Sequence, residues 1–284
     1  MTNKEITKRN VRRVKNLLEE VKGLTPEKFQ TILDSLAKFH NYSFYNQIIL
    51  CFAGCSQVAG YKKWKELGRT VKKGGKAVWI LAPWFKKVKA EKEGEEQKKE
   101  ELKLLSGFFS VPVFDISQTE GEPIKRGITI GSDIDFEELR KATEKAGWTV
   151  VFKPLEIATG GYITSENGEI TLNSNLDETE NTGTLIHEWV HKELKHPNNG
   201  TPARVAEQQA ETATYLVCKV LGIERKSVFY LKSWGLSENI LKDFGKVNEV
   251  SKKIISALAP AKTARAKGAA QCKLPKRSIA QKTI

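Results

Sequence analysis

The stretch His187-Glu188-Trp189-Val190-His191 constrains this 284-residue chain more than any other, because a His-Glu-x-x-His spacing has chemical meaning only on a helix. Side chains four positions apart share one helical face. Two imidazoles can therefore grip one metal ion, with the intervening carboxylate beside its open coordination position. The chain has four histidines, and His187, His191 and His196 fall within ten residues. A surface helix with two solvated histidines is a poor account of that clustering. Two histidines do not complete a catalytic zinc site, which usually combines three protein ligands with one water. The helix must therefore pack against an element that supplies a third ligand.

Glu211 is the expected third ligand. It lies in Glu207-Gln208-Gln209-Ala210-Glu211 on the next expected helix and adjoins the packed stripe of Ala206, Ala210, Ala213 and Val217, an unusual place for a carboxylate. Glu207, one turn earlier, is its supporting partner or substitute. His196 is a rival, but the all-histidine pattern needs a glycine where Leu194 stands and a histidine where Gly200 stands. Zn2+ held by His187, His191 and Glu211 would act as a Lewis acid on a carbonyl. Glu188 would then be the catalytic base, taking a proton from water and passing it to the leaving amine. Tyr162 and Tyr215 are candidates to stabilise the oxyanion, and a strand at residues 169–172 offers an edge to an extended peptide. The substrate protein or peptide is not readable.

Elsewhere the chain is organised for a different task. The net charge of +13 is uneven: residues 1–90 carry 19 Lys/Arg against 6 Asp/Glu, residues 121–245 carry 14 against 19, and residues 246–284 carry 10 against 1. Two basic ends flank a mildly acidic metal region, which points to polyanion binding set apart from the chemistry. Residues 42–87 interleave aromatic and basic side chains, the combination that single-stranded nucleic acid requires. The candidate DNA contacts are Tyr42, Lys62, Lys63, Trp64, Arg69, Lys72, Lys73, Lys76, Trp79 and Trp84. Single-stranded DNA is the expected partner, with duplex DNA as a second target. Residues 72–76 are not a phosphate-binding P-loop, because Thr70 stands at its first glycine position and a strand follows. So basic a chain cannot imitate DNA with an acidic surface.

Periodicity predicts helices over residues 4–22, through Phe29 and Phe39, and on towards Gly54, then a short helix between Gly60 and Gly68. A strand is expected at 77–81, closed by Pro83, and another at 108–114, with the Lys/Glu-rich residues 86–103 as a solvated excursion between them. A helix after Asp133 leads to strands at 148–152, 161–164 and 169–172, then to the metal helix and a helix over 202–221. Residues 260–284 read as a disordered basic tail. Cys51, Cys55, Cys218 and Cys272 form no Cys-x-x-Cys pair, there is no run of eighteen apolar residues, and the N-terminus reads as charged helix. A soluble cytoplasmic protein with no membrane partner is expected.

Two sets of residues resemble one family. Tyr42-Ser43 with Asn46, Val58-Ala59-Gly60-Tyr61, Trp64, the run Gly68-Arg69-Thr70-Val71-Lys72-Lys73-Gly74 and the run from Val113 to Thr119 resemble the single-stranded-DNA-binding domain of ArdC-type antirestriction proteins. His187-Glu188 with His191, followed by Gln209-Ala210-Glu211, is similar to the zincin metallopeptidase domain that follows in that family. Gly75 replaces the glutamate of the family's Gly-Glu-Lys. The resemblance implies an α+β protein with a helical/β DNA-binding domain at 1–125, a zincin-like domain with a small sheet and an active-site helix at 126–258, and the tail at 259–284. It also implies a plasmid or conjugative-element protein that protects incoming DNA from restriction. The alternative is a DNA-binding protection protein whose metal site is structural or idle.

Overall fold

A computed structural model describes residues 2–21, 25–89, 101–124, 134–156, 159–164, 168–223 and 238–258. It is an α+β structure, and the helices begin and end where local chemistry dictates. Helices α1 (Asn3–Val21), α2 (Pro26–Lys38) and α3 (Phe44–Phe52) open the chain. Thr25 starts α2 by accepting the Lys28 N–H on its hydroxyl, as the Thr-Pro-Glu sequence predicts.

The hairpin β3 (Val78–Lys89) and β4 (Glu101–Asp115) forms the backbone of the first half, with the two-residue β1 (Val58–Ala59) antiparallel to the end of β4. Pro83 does not close β3 as expected; it pairs in register with Phe108. The reason lies two residues earlier. The Leu81 N–H points away from β4, to the Asn46 carboxamide at 2.8 Å, so the alternating Pro83 nitrogen also faces away and no ladder bond is lost. Asn46 returns a bond to the Leu81 carbonyl and thereby caps this edge from α3. Asn3 of α1 does the same to Ser110 of β4, through bonds of 2.8 and 3.0 Å. A bulge between Trp84 and Phe85 shifts the register opposite Gly107, whose φ of +152° suits glycine. Residues 86–89 and 101–103, expected to be a solvated excursion, continue the paired strands; residues 90–100 lie outside the described residues.

Helix α4 (Tyr61–Glu66) leads into β2 (Arg69–Val71), which pairs antiparallel with β5 (Thr119–Gly121). Asp115 organises the junction, its carboxylate accepting the backbone N–H groups of Ser56, Gln57 and Ser117. Those bonds hold its pKa below the ordinary carboxylate value against the opposing effect of burial.

The second half places α5 (Phe136–Lys145) and α6 (Glu178–Glu193) against a three-stranded sheet in the order β6 (Thr149–Lys153), β8 (Glu169–Asn173), β7 (Gly161–Thr164). β8 is parallel to β6 and antiparallel to β7. The expected peptide-binding edge at residues 169–172 is therefore the central strand, with both sides paired. Helix α7 (Ala203–Leu221) packs on α6 and ends at Gly222 in a left-handed conformation. Helix α8 (Glu238–Leu258) covers α7.

One buried core runs through the whole described chain, from Val14 to Ile255. Phe244 of α8 stacks on Phe44 of α3 at a centroid distance of 5.2 Å and meets Phe29 of α2 edge-on at 6.1 Å. The expected boundary at residues 125 and 126 is thus no break in the core. The expected tail at 259–284 lies outside the described residues. No helix among the described residues is long and apolar enough to cross a membrane.

Candidate metal centre

Helix α6 is anchored at its start by a reciprocal cap: Asp177 accepts the Glu180 N–H, and Glu180 accepts the Asp177 N–H. Acidic residues in its first turn and His191 and Lys192 in its last match the helix dipole. The segment from Asn181 to Lys192 is almost wholly buried, so the two histidines project into the α6–α7 interface and not into solvent. After Leu194, Lys195 adopts φ 60°, a left-handed turn that brings the short helix His196–Asn198 back under α6.

The donor atoms then converge. His187 Nε2 and His191 Nε2 are 2.9 Å apart. The Glu207 carboxylate reaches both, 3.3 Å from His187 Nε2 and 3.4 Å from His191 Nε2. Zinc bonds of about 2.0–2.2 Å in tetrahedral geometry separate their ligands by roughly 3.3 Å, so these three side chains fit one divalent ion. His187, His191 and Glu207 form a group that could hold a metal ion. Glu207 is partly exposed, which leaves an open approach, while both histidines are buried.

Glu211, expected as the third ligand, sits elsewhere on the ring. Its carboxylate lies 3.2 Å from His187 Nδ1, the nitrogen turned away from His191. On α7, Glu207 therefore lies within 3.4 Å of both Nε2 atoms, while Glu211, one turn later, lies against Nδ1 of the first imidazole. Such a carboxylate behind a ligating histidine fixes its tautomer and raises its basicity. Glu188 is buried on the same turn of α6, and its charge adds to the field on His187. Burial opposes a charge on that imidazole, but hydrogen bonding to Glu207 and Glu211 outweighs it and raises the His187 pKa to about 9. The same hydrogen bonds, from His187 first and then His191, push Glu207 far below its ordinary value.

His196, the rival ligand, turns its Nδ1 to His191 Nδ1 at 2.9 Å and its Nε2 to the Gln209 carbonyl oxygen at 2.9 Å. It supports His191 from behind. Burial, the leading cause, and the nearby His191 and Lys246 hold its pKa below the ordinary imidazole value. Gln209 in turn donates to Asp243 of α8 at 2.8 Å. Sequence reasoning quoted Gln209 only within the Gln209-Ala210-Glu211 run and missed Asp243, because nothing in local spacing ties α8 to this site. Of the two expected oxyanion partners, Tyr215 donates to Asp34 of α2, and burial with that contact raises its pKa to about 12. Tyr162 lies on β7 and is exposed.

The DNA-contact candidates divide into core and surface. Trp64 is 2% exposed and donates its indole N–H to the Phe114 carbonyl, so it is a core residue and no stacking platform. Arg69 is committed to the β2–β5 junction, where its guanidinium donates to the carbonyls of Thr119 and Gly121 and to the Thr119 hydroxyl. Tyr42 donates to the Val58 carbonyl, and Lys63 pairs with Glu66. Trp79 is half-buried. Lys62, Lys72, Lys73 and Lys76 are exposed, as is Trp84 at 50%, with the Lys86 ammonium 5.8 Å from its ring centre. Phe85, Leu105 and Phe108 are exposed beside it on the hairpin. The last two were not legible, because only strand register brings residues 83–85 opposite 105–108.

Comparison with known proteins adds four findings. A Bacillus anthracis protein described only as an uncharacterized protein is 25% identical to this chain; the alignment covers 74% of this chain and 43% of that protein, so the chain spans less than half of its relative's length. The metal-free crystal structure of the antirestriction ArdC protein from plasmid R388 aligns with a TM-score of 0.45 at 20% identity, covering 76% of this chain and 84% of that one. The Mn(II)-bound structure of the same protein gives a TM-score of 0.46 at 20% identity, covering 81% and 86%. Residues 2–114, from α1 through β4, match the family of the N-terminal domain of anti-restriction factor ArdC. The first part of the chain, α1 through β4, is thus similar to the N-terminal domain of anti-restriction factor ArdC.

Proposed function

We propose that this chain is a DNA-binding antirestriction protein carrying a zinc-dependent, zincin-like peptidase centre, with His187, His191 and Glu207 as ligands and Glu188 as the catalytic base. One observation carries the reading: two buried imidazoles meet Nε2 to Nε2 at 2.9 Å, under a carboxylate within 3.4 Å of both, beside a second buried acid. Zinc bound there would supply Lewis acidity to a substrate carbonyl and make water acidic enough to surrender a proton near neutral pH. Glu188 takes that proton and returns it to the departing amine, and Glu211 keeps the His187 ring oriented throughout. The half-exposed Glu207 side is where an extended peptide would approach. With β8 paired on both sides, β6 and β7 are the edge strands of this sheet among the described residues, and β7, which packs on α6, is the one we assign to pairing with it.

The family's N-terminal domain supports delivery of this centre to DNA. Trp84, Phe85 and Phe108 on the β3–β4 arm are the exposed rings for stacking unpaired bases, and Lys62, Lys72, Lys73, Lys76 and Lys86 supply phosphate partners. The decisive experiment compares wild type with Glu188→Ala for zinc content, for proteolysis of proteins bound near single-stranded DNA, and for protection of DNA from restriction. Zinc retained with proteolysis and protection both lost supports the proposal. Protection retained without proteolysis would reduce the centre to an idle site on a DNA-binding protein, and absence of stoichiometric zinc in wild type would remove the centre.

A further inference from the structure

We infer that Asp243, Gln209 and His196 form a directional hydrogen-bond chain that fixes His191 as the Nδ1–H tautomer and so presents its Nε2 lone pair to the metal centre. The second half of this statement rests on the metal-centre reading above. The direction follows link by link from donor and acceptor chemistry. An ionised carboxylate can only accept, so the Gln209 group 2.8 Å from Asp243 Oδ2 is its NH2, and the amide is oriented. Gln209 Oε1 therefore faces His196 Nε2 at 2.9 Å and can only accept, which makes that ring nitrogen the N–H. A neutral imidazole with hydrogen on Nε2 has its lone pair on Nδ1. His191 Nδ1, 2.9 Å away, must then be the donor. The remaining nitrogen of His191 carries the lone pair, and it is the atom 2.9 Å from His187 Nε2.

Burial gives the chain its force. His191, His196 and Gln209 are each less than a tenth exposed, so bulk water does not compete for these bonds, and a reversed link would leave two donors or two acceptors facing each other. Glu211 meets the other ring by an ion-pair contact, 3.2 Å from His187 Nδ1. The two ligating rings are thus held by different devices: a carboxylate one turn along α7 for the first, and a chain ending on α8 for the second. His196, Gln209 and Asp243 are positioning residues. The consequence is a link between the docking of α8 and metal affinity that His-Glu-x-x-His alone does not require.

The test begins with the full-length metal-free protein labelled with nitrogen-15. Long-range nitrogen–proton correlation of the imidazoles reads each tautomer directly: His191 should carry hydrogen on Nδ1 and His196 on Nε2. Zinc affinity is then measured by competition with a chelating dye. Gln209→Leu should bind zinc about 10–100-fold more weakly and scramble the His191 tautomer. Asp243→Asn, whose amide can donate as well as accept, no longer fixes the direction of the chain, so Asp243→Asn and Asp243→Ala should both move the two readouts in the direction of Gln209→Leu. A role in packing alone would lower thermal stability and leave tautomer and affinity unchanged. Hydrogen on His191 Nε2 in the wild type, or wild-type zinc affinity in a folded Gln209→Leu, would overturn the inference. If Gln209→Leu does not fold, the wild-type spectrum and the two Asp243 variants decide. Failure of the wild type to bind zinc would instead overturn the metal-centre reading, with the tautomers still deciding the direction of the chain.

Discussion

Glu207 and Glu211 stand one turn apart on α7 yet meet opposite nitrogens of one imidazole, and that difference separates what their removal should do. Glu207→Ala deletes a proposed ligand and should weaken zinc binding by more than about 100-fold, whereas Glu211→Ala removes a proposed orienting partner and should weaken it by about 10–100-fold. Dye-competition titration of both variants checks the order, and the reverse order would return the ligand role to Glu211. Spacing alone made His187 and His191 legible because a helix leaves no choice at i and i+4. It could not rank the two acids, since both lie close to the same helix face and the outcome turns on which ring nitrogen each one meets. The same cluster sets a pH response in the metal-free protein. The His187 pKa is raised from 6.5 to about 9, so its charge stabilises the fold fully below about 6.5, and that contribution is lost as pH rises through 9. Thermal melts of metal-free protein should therefore show declining stability from pH 7 to pH 9, and His187→Gln should flatten that slope. Zinc needs the deprotonated ring, so its apparent affinity should rise over the same interval.

Among the elements, the helices were legible because apolar periodicity and caps such as Thr25-Pro26 and Gly222 are local signals. The strands were less so. Pro83 reads as a stop until the Leu81 N–H is seen pointing to Asn46, and residues 169–172 read as an edge until β6 and β7 are found on either side. The same limit confused two tryptophans: Trp64 and Trp84 both sit among lysines in sequence, but one fills the core under β4 and the other stands on the hairpin arm. Their variants should part accordingly. Trp64→Ala should cost about 3–5 kcal/mol of stability, as expected for deleting a buried aromatic ring. Trp84→Ala should leave the melting curve unchanged and weaken single-stranded-DNA binding by about 1–3 kcal/mol, the worth of one stacked base. Fluorescence anisotropy at two salt concentrations, beside circular dichroism, distinguishes them; undiminished DNA binding by Trp84→Ala would mean the arm is not the platform.

At the scale of the whole molecule, charge segregation points to two tasks in two segments, because lysines and acids report surfaces and say nothing of what lies beneath them. Beneath the surface, one buried core joins the two segments. Phe244 on α8 meets both Phe29 and Phe44 of the N-terminal half, while its own helix carries Asp243 toward the candidate metal centre on α6 and α7. Tyr215 and Lys219 of α7 both reach Asp34 of α2, so a second contact crosses the same divide. A chain joined in this way should unfold as one cooperative unit, with the N-terminal half and the candidate metal centre losing structure together. Phe244→Ala provides the test, since it removes the ring that the two halves share. It should cost about 3–5 kcal/mol, and hydrogen exchange should show β3 and α6 losing protection to the same degree. Loss confined to α6, α7 and α8 with β3 unchanged would mean that the two halves fold separately and that the aromatic contact only docks them.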